Sequence, residues 1–395
     1  MNKTDLIIRD MCEPGKASFI VGGQWGSEAK GCAAAWLAHE MAKRDYNPGI
    51  VSTNAGVQSG HTSIHKGKRR VSFHLPTAPF IFEDEGLPIP TVYLNGGSVI
   101  DPTIFLKEIE GFGGEVFIHP NASVIDAECV AAEMDAGSSQ TKIASTRKGV
   151  GEAISRKVRR AAKLARDCPQ LKEFVRRLDL NYYLGNGEHV LVEIPQGVSL
   201  SVDTDFYPHT TSRNCTPAQA LSDAAIHPSF YGSSMVVLRT YPIRVGNINV
   251  GNMEMGNSGA CYSDQKELSW EDLGVEAEIT TVTKRIRRVF TFSKEQLRET
   301  FVLCRPDVVF LSFVNYIKDQ SYLDEIESAI YNVSKELWFP PPRVVYEWGP
   351  TTDDIGEEYN VPSSVHGQAS NSLPATIRRR ETNGKLDQEN IPGIS

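Results

Sequence analysis

Apolar residues fall in short runs spread along the whole chain, separated by polar and glycine-rich stretches. The first run, residues 17–22 (ASFIVG), is the length of a buried strand and ends in glycines. The segment after it, KGCAAAWLAHEMAKR, has the composition of a helix. Strand, glycine-rich turn and helix in that order open an α/β unit. Further apolar runs lie at residues 91–94, 115–118, 189–194, 235–238 and 308–314. The intervals leave room for crossover helices, so the pattern predicts an α/β fold with a mostly parallel central sheet and flanking helices. Residues 155–178 are basic and amphipathic, and predict one or two helices. There is no internal repeat. A single elaborated α/β domain is expected over residues 1–360. From 361 the chain is rich in Ser, Pro, Asn and Gly and reads as a loose tail, with Arg378 to Arg380 as solvated surface.

Composition narrows the class. With 41 Lys and Arg against 49 Asp and Glu, the formal charge is −8, and 40% of residues are hydrophobic. These are globular values, and the acidic balance argues against a nucleic-acid or membrane-surface partner. No apolar run approaches the roughly 20 residues of a membrane span, and the first residues, MNKTDLIIRDMCEPGK, lack the apolar core of a secretion signal. The seven cysteines are dispersed and contain no C-x-x-C, which suits a reducing cytoplasm.

The chemistry is concentrated in the loop after the first strand. Residues 22–31 read G-G-Q-W-G-S-E-A-K-G. Glycines let backbone N–H groups close around phosphate oxygens, a helix N-terminus adds partial positive charge, and Lys30 adds a full one. As a generic phosphate loop it is distorted, with Ala29 and Gly31 where a second glycine and a hydroxyl are usual. A tight strand-to-helix turn with a surface lysine is the bland alternative. His61 and His65 form an H-x-x-x-H, but in β-branched sequence that spacing need not converge on a metal, and no third ligand is evident.

The loop resembles the signature G-x-Q-W-G-D-E-G-K-G of adenylosuccinate synthetases. Other blocks follow in that family's order. Residues 58–62 (QSGHT) resemble N-A-G-H-T, 144–151 (ASTRKGVG) resemble G-T-T-G-R-G-I-G, and 193–197 (EIPQG) resemble E-G-A-Q-G. Residues 207–214 (YPHTTSRN) resemble Y-P-Y-V-T-S-S-N, 244–246 resemble R-V-G, 281–288 (TVTKRIRR) resemble T-T-G-R-x-R-R, and 348–350 (WGP) resemble T-G-P. The resemblance implies a fold related to P-loop NTPases and an ATP- or GTP-driven ligase. Such an enzyme phosphorylates O6 of a purine monophosphate and then lets the amino group of L-aspartate displace phosphate at C6.

Carried over by position, the resemblance assigns Ser27, Lys30 and His61 to catalysis. Gly26, Glu28, Ala29, Gly31, Gly60, Thr62, Asn315, Gly349 and Pro350 fall to the triphosphate, with Mg²⁺ held at Ser27 and Gly60. Ser27, Ser145, Thr146, Gln196 and Thr211 fall to the monophosphate substrate. Arg160 reaches the partner subunit's substrate in a homodimer. Thr281, Val282, Thr283, Arg285 and Arg287 fall to aspartate.

Two departures bear on specificity. Ser27 stands where the family has the Asp that serves as base and metal ligand, and a hydroxyl is a poor substitute for either role. The change is known in a phage branch of the family that uses dGMP, where a smaller side chain leaves room for the guanine 2-amino group. Asn315 stands where an Asp reads the guanine of GTP. An amide offers a donor and an acceptor, which suits the adenine of ATP or dATP. Phe313 beside it would stack on either base, and Lys284 replaces a family glycine. An IMP-using synthetase and a nucleotide-binding regulator without activity are the competing expectations. The cytoplasm, of a host cell if the chain is phage-encoded, is the expected location.

Overall fold

The structure is a computed structural model that describes residues 2–135, 137–250, 253–280 and 284–357. The tail from 361 and the aspartate candidates Thr281, Val282 and Thr283 lie outside them. Nine strands form the main sheet: β1 (Ala17–Gly22), β2 (Ile50–Thr53), β3 (Thr91–Leu94), β4 (Val116–Ile118), β5 (Val190–Gly197), β6 (Tyr231–Arg239), β7 (Val308–Ser312), β8 (Arg343–Glu347) and β9 (Ile355–Gly356). Their spatial order is β9-β8-β7-β6-β1-β5-β2-β3-β4. All neighbours are parallel except the edge strand β9, which is antiparallel to β8. The mostly parallel sheet expected from the apolar runs is therefore present.

Central strand β1 is buried along its whole length, as a strand covered on both faces must be. Phe19 and Val21 enter a core with Leu297 and Phe301 of α5 (Lys294–Cys304) and with Leu323, Ile326 and Ile330 of α6 (Gln320–Glu336). Ile20, between them, points the other way. It meets Ile7, Ile8 and Met11 of α1 (Lys3–Met11) and Ala34, Trp36 and Leu37 of α2 (Lys30–Ala42). The alanines of α2 let it lie between the sheet and α3 (Ala78–Glu85). No helix among the described residues is long and apolar enough to cross a membrane.

Three expectations need correction. The basic stretch 155–178 is mostly not helical. Helix α4 (Val150–Val158) ends inside it, and 3-10 turns follow at Ala165–Asp167 and Pro169–Leu171. Arg160 turns the chain away with a φ of 61°, Pro169 has no N–H for a helix, and Ala165, Cys168 and Leu171 are buried against Phe105 and Ile118. The run 308–314 stops as a strand at Ser312, because Phe313 adopts a left-handed backbone with φ of 58° and leads into a 3-10 turn. Strands β2, β8 and β9 were not foreseen: β2 is four residues long, β8 opens on Arg343 and closes on Glu347, and β9 has two residues.

An antiparallel ribbon, His61–His65 with Lys68–Ser72, packs against α2. It brings the Gly60-His61-Thr62 block beside the start of that helix. The C-terminal ends of β1, β5, β6, β7 and β8 converge here, where ligands sit in open α/β sheets. Gln24 joins two of those ends: its amide donates to the Arg239 carbonyl at 3.1 Å and accepts the Arg239 N–H at 2.8 Å.

Candidate active site

A cleft of about 610 Å³ opens at these strand ends. It brings together Gly26, Ser27, Ala29, Lys30 and Gly31 from the glycine loop and Gly60, His61 and Thr62 from the ribbon. Ser145, Thr146, Gln196, Thr211 and Arg287 line it from other loops, and Asn315, Gly349 and Pro350 close one end.

The loop geometry follows from its residues. Gly26 has φ of 91°, a conformation that a side chain would strain. Helix α2 starts after Ala29, in left-handed conformation at φ of 66°, with no side-chain cap. Its first N–H groups are thus left to the cleft rather than to a neighbouring hydroxyl. Lys30 is buried, and its Nζ donates to the Gly26 carbonyl at 2.9 Å and to Glu28 at 3.0 Å. Glu28 does not line the cleft. It lies buried behind the loop, accepting the Gly26 N–H at 2.5 Å, and so fixes the loop from below. A methyl group at Gly31 would collide with the Thr62 carbonyl. We expect Gly31→Ala to cost about 1–3 kcal/mol of stability by parting ribbon and helix and to weaken nucleotide binding. Thermal unfolding and nucleotide titration check this, and an unchanged Tm would contradict it.

Ser27 sits in a charged network. Arg287 donates to its Oγ at 2.5 Å, and the Arg239 guanidinium lies 3.5 Å from its carbonyl. Burial lowers the pKa of Arg287 from the usual arginine range. Arg239 is almost fully buried, pairs with Glu278, and lies 3.6 Å above the Phe313 ring. Tyr316 donates to Glu278 at 3.1 Å, and the Arg287 Nε is 3.9 Å from the same carboxylate. The hydroxyl of Ser27 is thus held in place by a cation.

His61 presents Nδ1 at 3.8 Å from Glu193, and that nitrogen is buried with no hydrogen-bond partner. Glu193 is itself fixed at the start of α3, where it accepts the N–H groups of Thr77 and Ala78, both at 2.8 Å. Helix α4 carries Ser145 and Thr146 just before its start, and the buried Glu133 accepts the Gly149 and Glu152 N–H groups at 2.7 and 3.0 Å.

Asn315 is exposed in the 3-10 turn, beside Phe313 and Tyr316. The Phe313 N–H is held at 2.6 Å by Glu347. Burial pushes the Glu347 carboxyl up from its ordinary 4.5 to about 7. The folded chain therefore keeps a proton there that the unfolded chain releases, and this contribution to stability falls as pH rises from 4.5 to about 7. We expect Glu347→Gln to gain on the wild type across that window, by an amount of the order of 3 kcal/mol at neutral pH. Melting curves of both proteins from pH 5 to 8 test it; parallel profiles would contradict it.

Besides Glu28, two predicted residues lie away from the cleft. Arg160 is exposed and donates to its neighbour's carbonyl at Val158, 2.8 Å away. Arg285 donates to the carbonyls of Gly246 and Ala144, both at 2.8 Å, and of Ser145 at 3.3 Å, and lines a second groove with Arg147 and Arg288. It braces the Ser145 loop from outside. Arg239, Glu278 and Glu347 were not singled out from the sequence. A signal existed for two of them, since Arg239 and Glu347 each put a charge at the end of an apolar strand.

The family model described as adenylosuccinate synthetase matches residues 19–186 and 176–330. The chain belongs to the adenylosuccinate synthetase family. Within that family it is 36% identical over 371 residues to the N6-succino-2-amino-2'-deoxyadenylate synthase of Salmonella phage PMBT28, covering 86% of this chain and 97% of the phage protein. A solved succinoaminodeoxyadenylate synthetase from Cyanophage S-2L, bound to dGMP and dATP as an energy donor, is 32% identical with a TM-score of 0.74. The match covers 89% of this chain and 96% of that one. The fully ligated adenylosuccinate synthetase of Plasmodium falciparum, 18% identical with a TM-score of 0.68 over 87% of this chain and all of its own, shares the fold.

Proposed function

We propose that the chain joins L-aspartate to C6 of dGMP, driven by ATP or dATP, to give N6-succino-2-amino-2'-deoxyadenylate. The observation that carries this reading is Ser27 at the head of the cleft, with Arg287 donating into its hydroxyl. The activities named for the phage relatives support it. A γ-phosphoryl group moves to O6 as the N1 proton leaves. The aspartate amino group then attacks C6, the C6–O6 bond breaks, and phosphate departs. Lys30 and the open N-terminus of α2 neutralise the phosphates, and His61 donates to the phosphoryl group in flight. Ser27 already accepts from a cation and is no base, so it orients the guanine edge rather than taking the N1 proton itself. Arg287 is the cation in reach of an aspartate carboxylate, and Asn315 reads adenine.

Enzymes of this family use Mg²⁺, which screens charge between the phosphates. In this chain the Gly60 carbonyl, at the cleft, would be a neutral oxygen ligand of the kind the ion takes. Ser27 fits poorly, because the Arg287 guanidinium occupies its Oγ. Exposed Arg160, next to Val158 at 68% exposure, supports a homodimer in which Arg160 completes the partner's site. The reaction belongs to the cytoplasm, that of a host cell for a phage protein.

The test is phosphate release with Mg²⁺, ATP or dATP, and L-aspartate, comparing dGMP, GMP and IMP, with product masses measured. Release that requires both aspartate and dGMP, with a condensed product, is expected. Release with IMP alone would return the chain to adenine synthesis, and no release would leave a nucleotide-binding regulator.

A further inference from the structure

Away from the cleft, three elements present metal-ligating side chains to one another. His39 lies on α2, His65 ends the first strand of the ribbon, and Glu85 closes α3. The Nδ1 of His39 and the Nε2 of His65 stand 2.8 and 2.9 Å from the same oxygen of Glu85. All three ligand atoms lie within 4.8 Å of one another. His61 takes no part: it is four residues back along the strand and faces the cleft. The H-x-x-x-H spacing thus misassigns the pair, and the third ligand comes from elsewhere in the fold.

We propose that His39, His65 and Glu85 form a Zn²⁺ site. Four features favour an ion over a plain hydrogen-bonded latch. Two imidazoles and a carboxylate are the donor set zinc takes when it keeps a fourth position for water, whereas Mg²⁺ prefers oxygen alone. In a tetrahedron with bonds of about 2.0 Å, ligand atoms stand about 3.3 Å apart, so the two contacts to Glu85 would lengthen by about half an ångström and the two imidazole nitrogens, which lie within 4.8 Å, would close by up to about 1.5 Å. The far nitrogen of His65 is 2.8 Å from the Thr352 hydroxyl, the outer partner that orients a ligating imidazole. His65 is buried, while His39 and Glu85 keep 12% and 17% side-chain exposure, which leaves a path for the ion.

Lys66 meets the other oxygen of Glu85, at 2.5 Å, and half its side chain is exposed, so it can withdraw. A bound ion would pin the ribbon that starts at His61 to the helix that starts at Lys30.

Chelator-treated full-length protein, free of nucleotide, is titrated with ZnCl₂ by calorimetry, with metal content measured by mass spectrometry. The expected result is one zinc per chain, a Tm raised by several degrees, and the visible absorption of tetrahedral Co²⁺ on substitution. His39→Gln, on the helix surface, and Glu85→Gln should each weaken zinc at least 100-fold while circular dichroism stays unchanged. Zinc content below about a tenth per chain overturns the site. So does equal binding by His39→Gln, which would assign the zinc to free cysteines.

Discussion

Ser27→Asp is expected to lower kcat/KM for dGMP by about 100-fold and to raise phosphate release with IMP. A free carboxylate would be a good partner for guanine N1–H and N2–H, so the loss is not obvious from the side chain alone. The structure supplies the reason. Arg287 already donates to the Ser27 oxygen at 2.5 Å, and it would grip the new carboxylate and hold it against the 2-amino group. IMP has no such group and gains a base at N1. Ser27→Ala separates size from hydrogen bonding: it keeps the room and loses the hydroxyl, and a fall of about tenfold with dGMP is expected. The measurement is kcat/KM for both monophosphates in all three proteins. An Asp variant with the wild-type ratio of dGMP to IMP use would remove Ser27 from specificity.

The second large effect is at His61. His61→Asn should reduce kcat by about 10²- to 10³-fold with little change in KM for dGMP, as expected for a donor needed chiefly in the transition state. Its Nδ1 is buried without a hydrogen-bond partner and faces, at 3.8 Å, a carboxylate that two backbone N–H groups hold still. Glu193→Gln removes the charge and keeps an acceptor for only one of those two N–H groups, which bond different oxygens, but it leaves the His61 imidazole in place, so it should lose less. Steady-state kinetics with a melting-curve control decides the matter. A His61→Asn enzyme with near-normal kcat would make the histidine structural.

What could be read along the chain and what could not divide on physical grounds. The glycine loop, the Gly60-His61-Thr62 block and Asn315 were legible because their chemistry is local: a few adjacent residues set both the backbone path and the donor groups. Strand β1 was legible because full burial demands a largely apolar run, here broken only by Ser18. The basic stretch after Ser155 misled because charge and helical spacing say nothing of Cys168 and Leu171 being needed in a core. Glu28 was placed in the cleft because its neighbours face it, but its carboxylate turns back to Gly26 and Lys30. Glu193 stood in the EIPQG block without a role of its own and His65 in the H-x-x-x-H without its true partners, while Glu278, His39 and Glu85 were not legible at all. Their partners are distant in sequence, and only the packed sheet brings them together.

The strand order also constrains how the molecule is made. Strand β1 ends at Gly22, yet its two sheet neighbours are β5, which ends at Gly197, and β6, which ends at Arg239. During synthesis the central strand therefore has no partner until about half of the polypeptide has left the ribosome, and the floor of the cleft closes later still. A mostly apolar segment that waits so long is a natural client for chaperones, and chains cut short before Gly197 would expose ASFIVG as a sticky end.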